Sequence, residues 1–195
     1  FAVPRSIKTT SVKPSGTVSL LAGATPGLHY PESRFYTRRV RLSKHSELIE
    51  PLQKAGYKLE PAFGSEDTTM VVEVPVDVGE GIRTASELSI WEQFSLAAFM
   101  QRHWADNQVS CTVTFDPKTE ADEIAPALNY FQYHLKGISL LPRHDYGAYK
   151  QMPYEAIDEK TYNSQIKKLG KLTFGVIKNE EAEIDKFCNN DSCEI

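Results

Sequence analysis

Thr9–Gly23, TTSVKPSGTVSLLAG, is the stretch on which the reading of this chain turns. Ile7–Val12 alternates apolar and small polar residues with β-branched content, as a strand does. Lys13-Pro14-Ser15-Gly16 punctuates it, and Thr17–Ala22 is small and apolar enough to open a helix. A helix starting at such a turn presents unpaired backbone N–H groups at the positive end of its dipole. With the hydroxyls of Ser15, Thr17 and Ser19, and a glycine that admits close backbone approach, this suits an anionic, phosphorylated ligand. The same residues also read as an ordinary strand-to-helix connection with a Ser or Thr N-cap. The Gly-Lys-Ser/Thr ending of a P-loop is absent. Both readings stand at this point.

Composition narrows the setting. A chain of 195 residues with 41% hydrophobic side chains can build a sizeable core. Its net charge of −4 offers no general electrostatic attraction to nucleic acid or to an anionic membrane. No apolar run approaches the roughly 20 residues that span a bilayer, and no signal-peptide pattern opens the chain. The expected compartment is therefore the cytoplasm. The chain begins at Phe1 and moves at once into core-like sequence, so the expectation is a C-terminal piece of a longer polypeptide.

After the turn, Ala24-Thr25-Pro26-Gly27 is a second turn leading to Leu28-His29-Tyr30-Pro31. His29 is placed either to touch a ligand held nearby or to serve the structure. Phe35–Leu42 reads as a strand whose Arg38, Arg39 and Arg41 face solvent or a bound anion, a solvated basic face being the expectation. Lys44–Ala55 reads as a surface helix, with Ser43 as N-cap and Gly56 just past its end. Tyr57–Leu59 and Thr68–Val76 read as strands around the Gly64–Asp67 turn, with Pro75 at a strand end or sheet edge. Ser86–Asp106 is the longest helical stretch, and its apolar residues are spread broadly enough to predict burial on several sides. Val109–Phe115 is a strand containing Cys111, expected to be an inert core thiol. A helix over Thr119–His134, a strand over Gly137–Leu141, a long loop over Arg143–Pro153 and a helix over Asp158–Leu169 follow. Strands alternating with helices predict an α/β fold.

Beyond Phe174-Gly175-Val176 the chain is acidic, polar and poor in large apolar groups, and is expected to be mobile. Two of the three cysteines, Cys188 and Cys193, stand here in a C-x4-C pair. A zinc site would need two more ligands, and the five histidines supply no matching spacing. A structural disulfide would staple only an end of the chain in a reducing compartment. Two readings remain: a dithiol that exchanges with another disulfide and is regenerated by an external reductant, or a pair of incidental surface cysteines.

Taken together, several runs carry a resemblance. Thr9–Ser19, Gly27–Pro31, Ala105–Phe115, Leu135–Pro142, Gln151–Glu155 and the terminal C-x4-C closely resemble the C-terminal half of adenosylcobalamin-dependent (class II) ribonucleotide reductases, most narrowly the monomeric ribonucleoside-triphosphate reductases. Each run is weak alone, but they span nearly the whole chain in one order. Class I reductases carry two adjacent tyrosines on the strand matching Lys136–Leu141, where this chain has Ser139 and Leu140. The ending Asp191–Ile195 offers no glycyl-radical motif.

That resemblance implies the latter part of a ten-stranded α/β barrel over residues 1–172, followed by a redox-active tail over 173–195. It implies that Pro14, Ser15, Gly16, Thr17, Val18 and Ser19 bind the phosphates of a ribonucleoside triphosphate. Cys188 and Cys193 would carry electrons to the active site and be reduced by thioredoxin or a similar dithiol. The implied cofactor is adenosylcobalamin, and the implied chemistry is thiyl-radical abstraction of the ribose 3′-hydrogen, with loss of the 2′-hydroxyl as water. The radical cysteine and its partners have no matching positions here, so they belong to a preceding portion of an enzyme expected to be monomeric when complete. Two alternatives come from other classes. One is a nucleotide-phosphate-binding module without catalysis, and the other is a thiol-disulfide protein with another client.

Overall fold

A computed structural model describes residues 3–15, 18–143 and 150–174. In chain order its elements are α1 (Val18–Leu21), β1 (Phe35–Ser43), α2 (Ile49–Lys54), β2 (Lys58–Pro61), β3 (Thr69–Asp77), α3 (Ile90–His103), β4 (Thr112–Phe115), α4 (Ile124–Phe131), β5 (Ser139–Pro142), β6 (Tyr154–Ala156) and α5 (Glu159–Ile166). The chain divides into two compact units, Phe1–Phe35 with Asp77–Ala148, and Tyr36–Val76 with Tyr149–Ile195.

In the first unit β4 and β5 pair in parallel, in register from Thr112↔Ser139 to Phe115↔Pro142. Parallel neighbours need a crossover, and α4 supplies it. Ahead of β4, Val12 bridges Val109 in parallel, and Ser110 N–H donates to the Val12 carbonyl at 2.8 Å. The strand expected over Ile7–Val12 is thus an extended segment carrying a single bridge, and its Ile7 is exposed. α3 packs Ile90 and Phe94 against Val113, Phe115, Ala127 and Phe131. A second cluster joins Ala97, Ala105, Val109 and Cys111. Burying a side chain such as Phe94 contributes about 1.5–3 kcal/mol.

The long helix expected over Ser86–Asp106 is divided. Thr84 and Glu87 form a capping box on a 3-10 turn, Ala85–Glu87, and Ser89 and Glu92 form a second box that starts α3. Its burial is one-sided, with Ile90, Phe94 and Ala97 inside and Phe99 57% exposed. Phe99 comes five residues after Phe94, about 140° round the helix, and therefore leaves the core face. The helix expected over Thr119–His134 condenses to α4 for a related local reason. Pro126, third in α4, lacks an N–H and is tolerated only in a first turn.

The second unit contains a sheet in the order β2-β3-β1-β6. β2 with β3 and β1 with β6 are antiparallel pairs. The alternating pattern therefore describes the first unit better than the second. Pro75 lies inside β3 rather than at a strand end, two residues beyond Glu73, the last β3 residue in register with β2, so its missing N–H faces no β2 partner there. α2 begins at Ile49 rather than Lys44, because Pro51 must occupy the first turn, and Ser43 ends β1 instead of capping a helix. After α2, Gly56 N–H donates to Gln53 O and Tyr57 N–H to Leu52 O, a Schellman closure with Gly56 at φ +84°. The basic face expected on β1 is mostly sheltered. Arg39 pairs with Glu73 and Glu155 and donates to Met152 O, while Arg38 lies 4.4 Å from the Tyr154 ring centroid. The strand β6 begins directly after the loop expected over Arg143–Pro153, in a stretch to which the sequence assigns no strand, for it is only three residues long and follows a proline.

Candidate functional site

Within the candidate phosphate turn, Ser15 and Ser19 hold each other. Ser19 N–H donates to Ser15 Oγ at 3.1 Å, and Ser19 Oγ donates to the Ser15 carbonyl at 2.6 Å. Ser15 thus closes the start of α1, a single turn in which Val18 is exposed. One turn aligns few peptide dipoles, so the anion-attracting field of a long helix is largely missing and any ligand would rest on the turn's own N–H and O–H groups. Gly16 and Thr17 lie outside the described residues.

The far side of the turn is tied to its near side. Gly27, at φ +58°, runs so close to Pro14 that a Cβ would sit 3.2 Å from Pro14 Cα. Two residues on, His29 Nε2 accepts from Thr112 N–H at 3.1 Å, and the His29 backbone N–H donates to the Pro26 carbonyl at 3.1 Å. A ring nitrogen that accepts carries no proton, so the half-buried ring is a neutral link between this loop and β4. Burial pushes its pKa below the ordinary value, and the Pro26 carbonyl opposes that shift.

On the entering side stands Asp106, a residue that the sequence reading quoted without giving it a role. Its two carboxylate oxygens each accept from Thr9 N–H at 3.0 Å, and Oδ1 accepts from Thr10 N–H at 2.8 Å. The Thr9 and Thr10 hydroxyls add bonds at 3.3 and 3.0 Å. Thr10 returns the contact, its Oγ1 accepting from Asp106 N–H at 3.0 Å and its carbonyl accepting from Asn107 N–H at 2.9 Å. Hydrogen bonds from the Thr10 and Thr9 amides favour the ionised form and hold the Asp106 carboxyl at about 2. Lys136 Nζ donates to the Asp106 carbonyl.

Side-chain amides complete β4. Gln93 matches both backbone groups of Thr114, accepting from its N–H at 2.9 Å and donating to its carbonyl at 2.7 Å. Gln101 donates to the Ala105 and Asn107 carbonyls and accepts from Val109 N–H. Cys111 is buried, and desolvation pushes its thiol up to about 11, as an inert core cysteine requires. Cys188 and Cys193 lie outside the described residues. Among the described residues no cluster of His, Cys, Asp and Glu could hold a metal ion, and no helix is long and apolar enough to cross a membrane.

Three open grooves on the described surface, of about 860, 670 and 370 Å³, are lined chiefly by charged and polar side chains such as Lys160 and Lys167, Arg102 and Lys136, or Glu50 and Lys54.

No family model matches the chain. It is 56% identical over its whole length to a protein of Dictyostelium discoideum described as a probable adenosylcobalamin-dependent ribonucleoside-triphosphate reductase, of which it covers 26%. It is 55% identical, over 99% of its length, to the adenosylcobalamin-dependent ribonucleoside-triphosphate reductase of Euglena gracilis, covering 27% of that protein. The corresponding enzyme of Levilactobacillus brevis is 41% identical over 84% of the chain, which covers 22% of it. Among solved structures, a B12-dependent (class II) ribonucleotide reductase superposes with a TM-score of 0.71 at 37% identity, over 83% of this chain and 23% of that one. By sequence and by fold the chain is similar to the adenosylcobalamin-dependent, class II ribonucleotide reductases, and it spans about a quarter of the length of the curated relatives it matches.

Proposed function

We propose that the complete protein reduces ribonucleoside triphosphates to 2′-deoxyribonucleoside triphosphates in the cytoplasm with adenosylcobalamin as cofactor, and that this chain supplies its substrate-phosphate turn and its terminal dithiol. The observation that carries the reading is identity above one half to two such reductases over essentially the entire chain. In this reading residues 1–172 are the C-terminal part of a ten-stranded α/β barrel and 173–195 a separate tail. The parallel β4–β5 pair and the parallel Val12–Val109 bridge support it, since both are the local geometry of a parallel barrel wall.

Pro14, Ser15, Gly16, Thr17, Val18 and Ser19 form the turn that meets the substrate phosphates, with backbone N–H and hydroxyl donors from the residues after Pro14, which itself has none, and His29 holds the return of that loop against β4. Adenosylcobalamin supplies radical chemistry when bound. The thiyl-forming cysteine is assigned to a preceding part of the polypeptide. Cys188 and Cys193 act after each turnover. One thiolate attacks a disulfide formed in the active site, the second resolves the mixed disulfide, and the active-site pair leaves as two thiols. Two electrons have then moved inward and the tail is a disulfide, which thioredoxin or a similar dithiol reduces in the same way. Cys111, buried with a raised pKa, takes no part.

The deciding experiment measures deoxynucleotide formed from a ribonucleoside triphosphate by the full-length protein, with and without adenosylcobalamin. Product that depends on the cofactor supports the reductase reading. Nucleotide binding without product leaves a binding module, and thioredoxin-dependent thiol cycling indifferent to nucleotide leaves a thiol-disulfide protein. In the same assay Cys188→Ser should abolish multiple turnover with thioredoxin while sparing one turnover of prereduced enzyme. Unchanged multiple turnover would remove the shuttle from the proposal.

A further inference from the structure

We infer that Asp106 is a positioning residue for the phosphate turn: it clips the strand entering the turn, at Thr9 and Thr10, to the segment that becomes β4. The inference rests on the reading that Pro14–Ser19 meets phosphate. It gives a role to a side chain that is exposed, touches no proposed ligand and still collects hydrogen bonds from two backbone amides and two hydroxyls.

Two consecutive amides on one carboxylate determine register. If the entering strand slipped by one residue, one of the two amides would leave the carboxylate, and every side chain from Thr9 to Val12 would turn to the opposite face. Val12 would then leave the cluster of Ala97, Ala105, Val109 and Cys111 against which it packs. Thr10 makes the clip reciprocal, its one hydroxyl proton shared between the Trp104 carbonyl at 2.8 Å and the Asp106 carboxylate at 3.0 Å while Oγ1 accepts from Asp106 N–H. Lys136 anchors the Asp106 backbone in turn. At the other end of the loop, His29 is bonded to Thr112 and Gly27 lies against Pro14. The turn is therefore strapped at both ends to one segment, Asp106–Thr112. Donors meant for a phosphate must sit within a few tenths of an ångström of their places, so slack at either strap falls on phosphate affinity.

Backbone amide exchange of residues 9–12 and dissociation constants for a ribonucleoside triphosphate and for the corresponding nucleoside are to be compared in the full-length protein and in Asp106→Ala, Asp106→Asn and Thr10→Val. Asp106→Ala should speed exchange at Thr9 and Thr10 and raise the triphosphate dissociation constant about tenfold, leaving the nucleoside's within about twofold. Asp106→Asn keeps one carbonyl acceptor and should fall between Ala and wild type. Thr10→Val keeps the amide bond and should produce the smallest change. Faster exchange with unchanged triphosphate affinity would overturn the positioning role, and unchanged exchange would overturn the clip itself. Equal weakening for triphosphate and nucleoside would make Asp106 a purely structural residue, also against the proposal. A wild-type protein that binds the nucleoside and gains nothing from its phosphates would instead refute the phosphate-turn reading, and this inference with it.

Discussion

Asp106 in the first unit and Arg39 in the second are both hubs of charge-assisted hydrogen bonds, yet they secure different things. The Asp106 carboxylate lies at the surface and gathers uncharged donors, so its loss frees backbone groups to bond with water. Arg39 is 15% exposed and Glu73 11%, and their bond at 3.0 Å joins two neighbouring strands of one sheet. Removing one partner there leaves a charge with little water to replace it. A surface hub positions a segment, whereas a sheltered hub holds a sheet together.

Glu73→Ala offers the largest test of that contrast. It should destabilise the second unit by about 3 kcal/mol, because Arg39 keeps only the more exposed Glu155 as a carboxylate partner. Urea unfolding reads this directly. A loss no greater than that in Asp106→Ala would end the distinction between the two hubs.

The glycines repeat the contrast on a smaller scale. Gly56→Ala places a methyl 2.7 Å from the Lys168 carbonyl oxygen at φ +84°, and should reduce stability by about 2 kcal/mol. Gly27→Ala, at φ +58° and with 3.2 Å to Pro14 Cα, should reduce it by about 1 kcal/mol. Gly27→Ala should nevertheless be the variant that weakens triphosphate binding. Titration of both variants with a ribonucleoside triphosphate checks this, and the reverse order would detach the Gly27 loop from the site.

The smallest effect is one of pH. His29 is neutral in the fold, its pKa depressed by burial below the ordinary 6.5. An unfolded chain binds the proton more readily, so the stabilisation is complete above pH 6.5 and is lost as pH falls through the lower folded value. His29→Gln keeps a side-chain acceptor for Thr112 N–H and should flatten that acid-side loss in a series of unfolding curves from pH 7 to pH 5. An unchanged slope would assign the acid sensitivity to other groups.

Much of the local structure was legible before any coordinates. The short helix after Pro14-Ser15, the strands β1 and β3, the Gly56 helix end and the inert Cys111 all follow from periodicity, turn chemistry and burial preference. Helix starts were read too early in three places, although signals were present. Pro51 and Pro126 restrict the start to the preceding turn, and Thr84-x-x-Glu87 and Ser89-x-x-Glu92 are capping boxes in plain sequence. The role of Asp106 carried only a faint signal, an acidic residue directly after a helix end, for its partner Thr10 is 96 residues away. His29 reads from sequence as either a ligand contact or a structural residue, while Gln93 and Gln101 are silent, since an amide that completes backbone hydrogen bonding looks like any polar residue until the strand is in place.

The sequence by itself determined most of the elements, the resemblance to the reductase family and the residue types that could meet phosphate, because these depend on neighbours within a few positions or on motifs in a set order. Only the tertiary structure decided that the turn is strapped at both ends to Asp106–Thr112 and that Arg39 is a sheltered hub rather than a solvated cation. The physical reason is that a hydrogen bond or ion pair depends on distance in space, and residues far apart in the chain acquire that distance only when the whole unit folds.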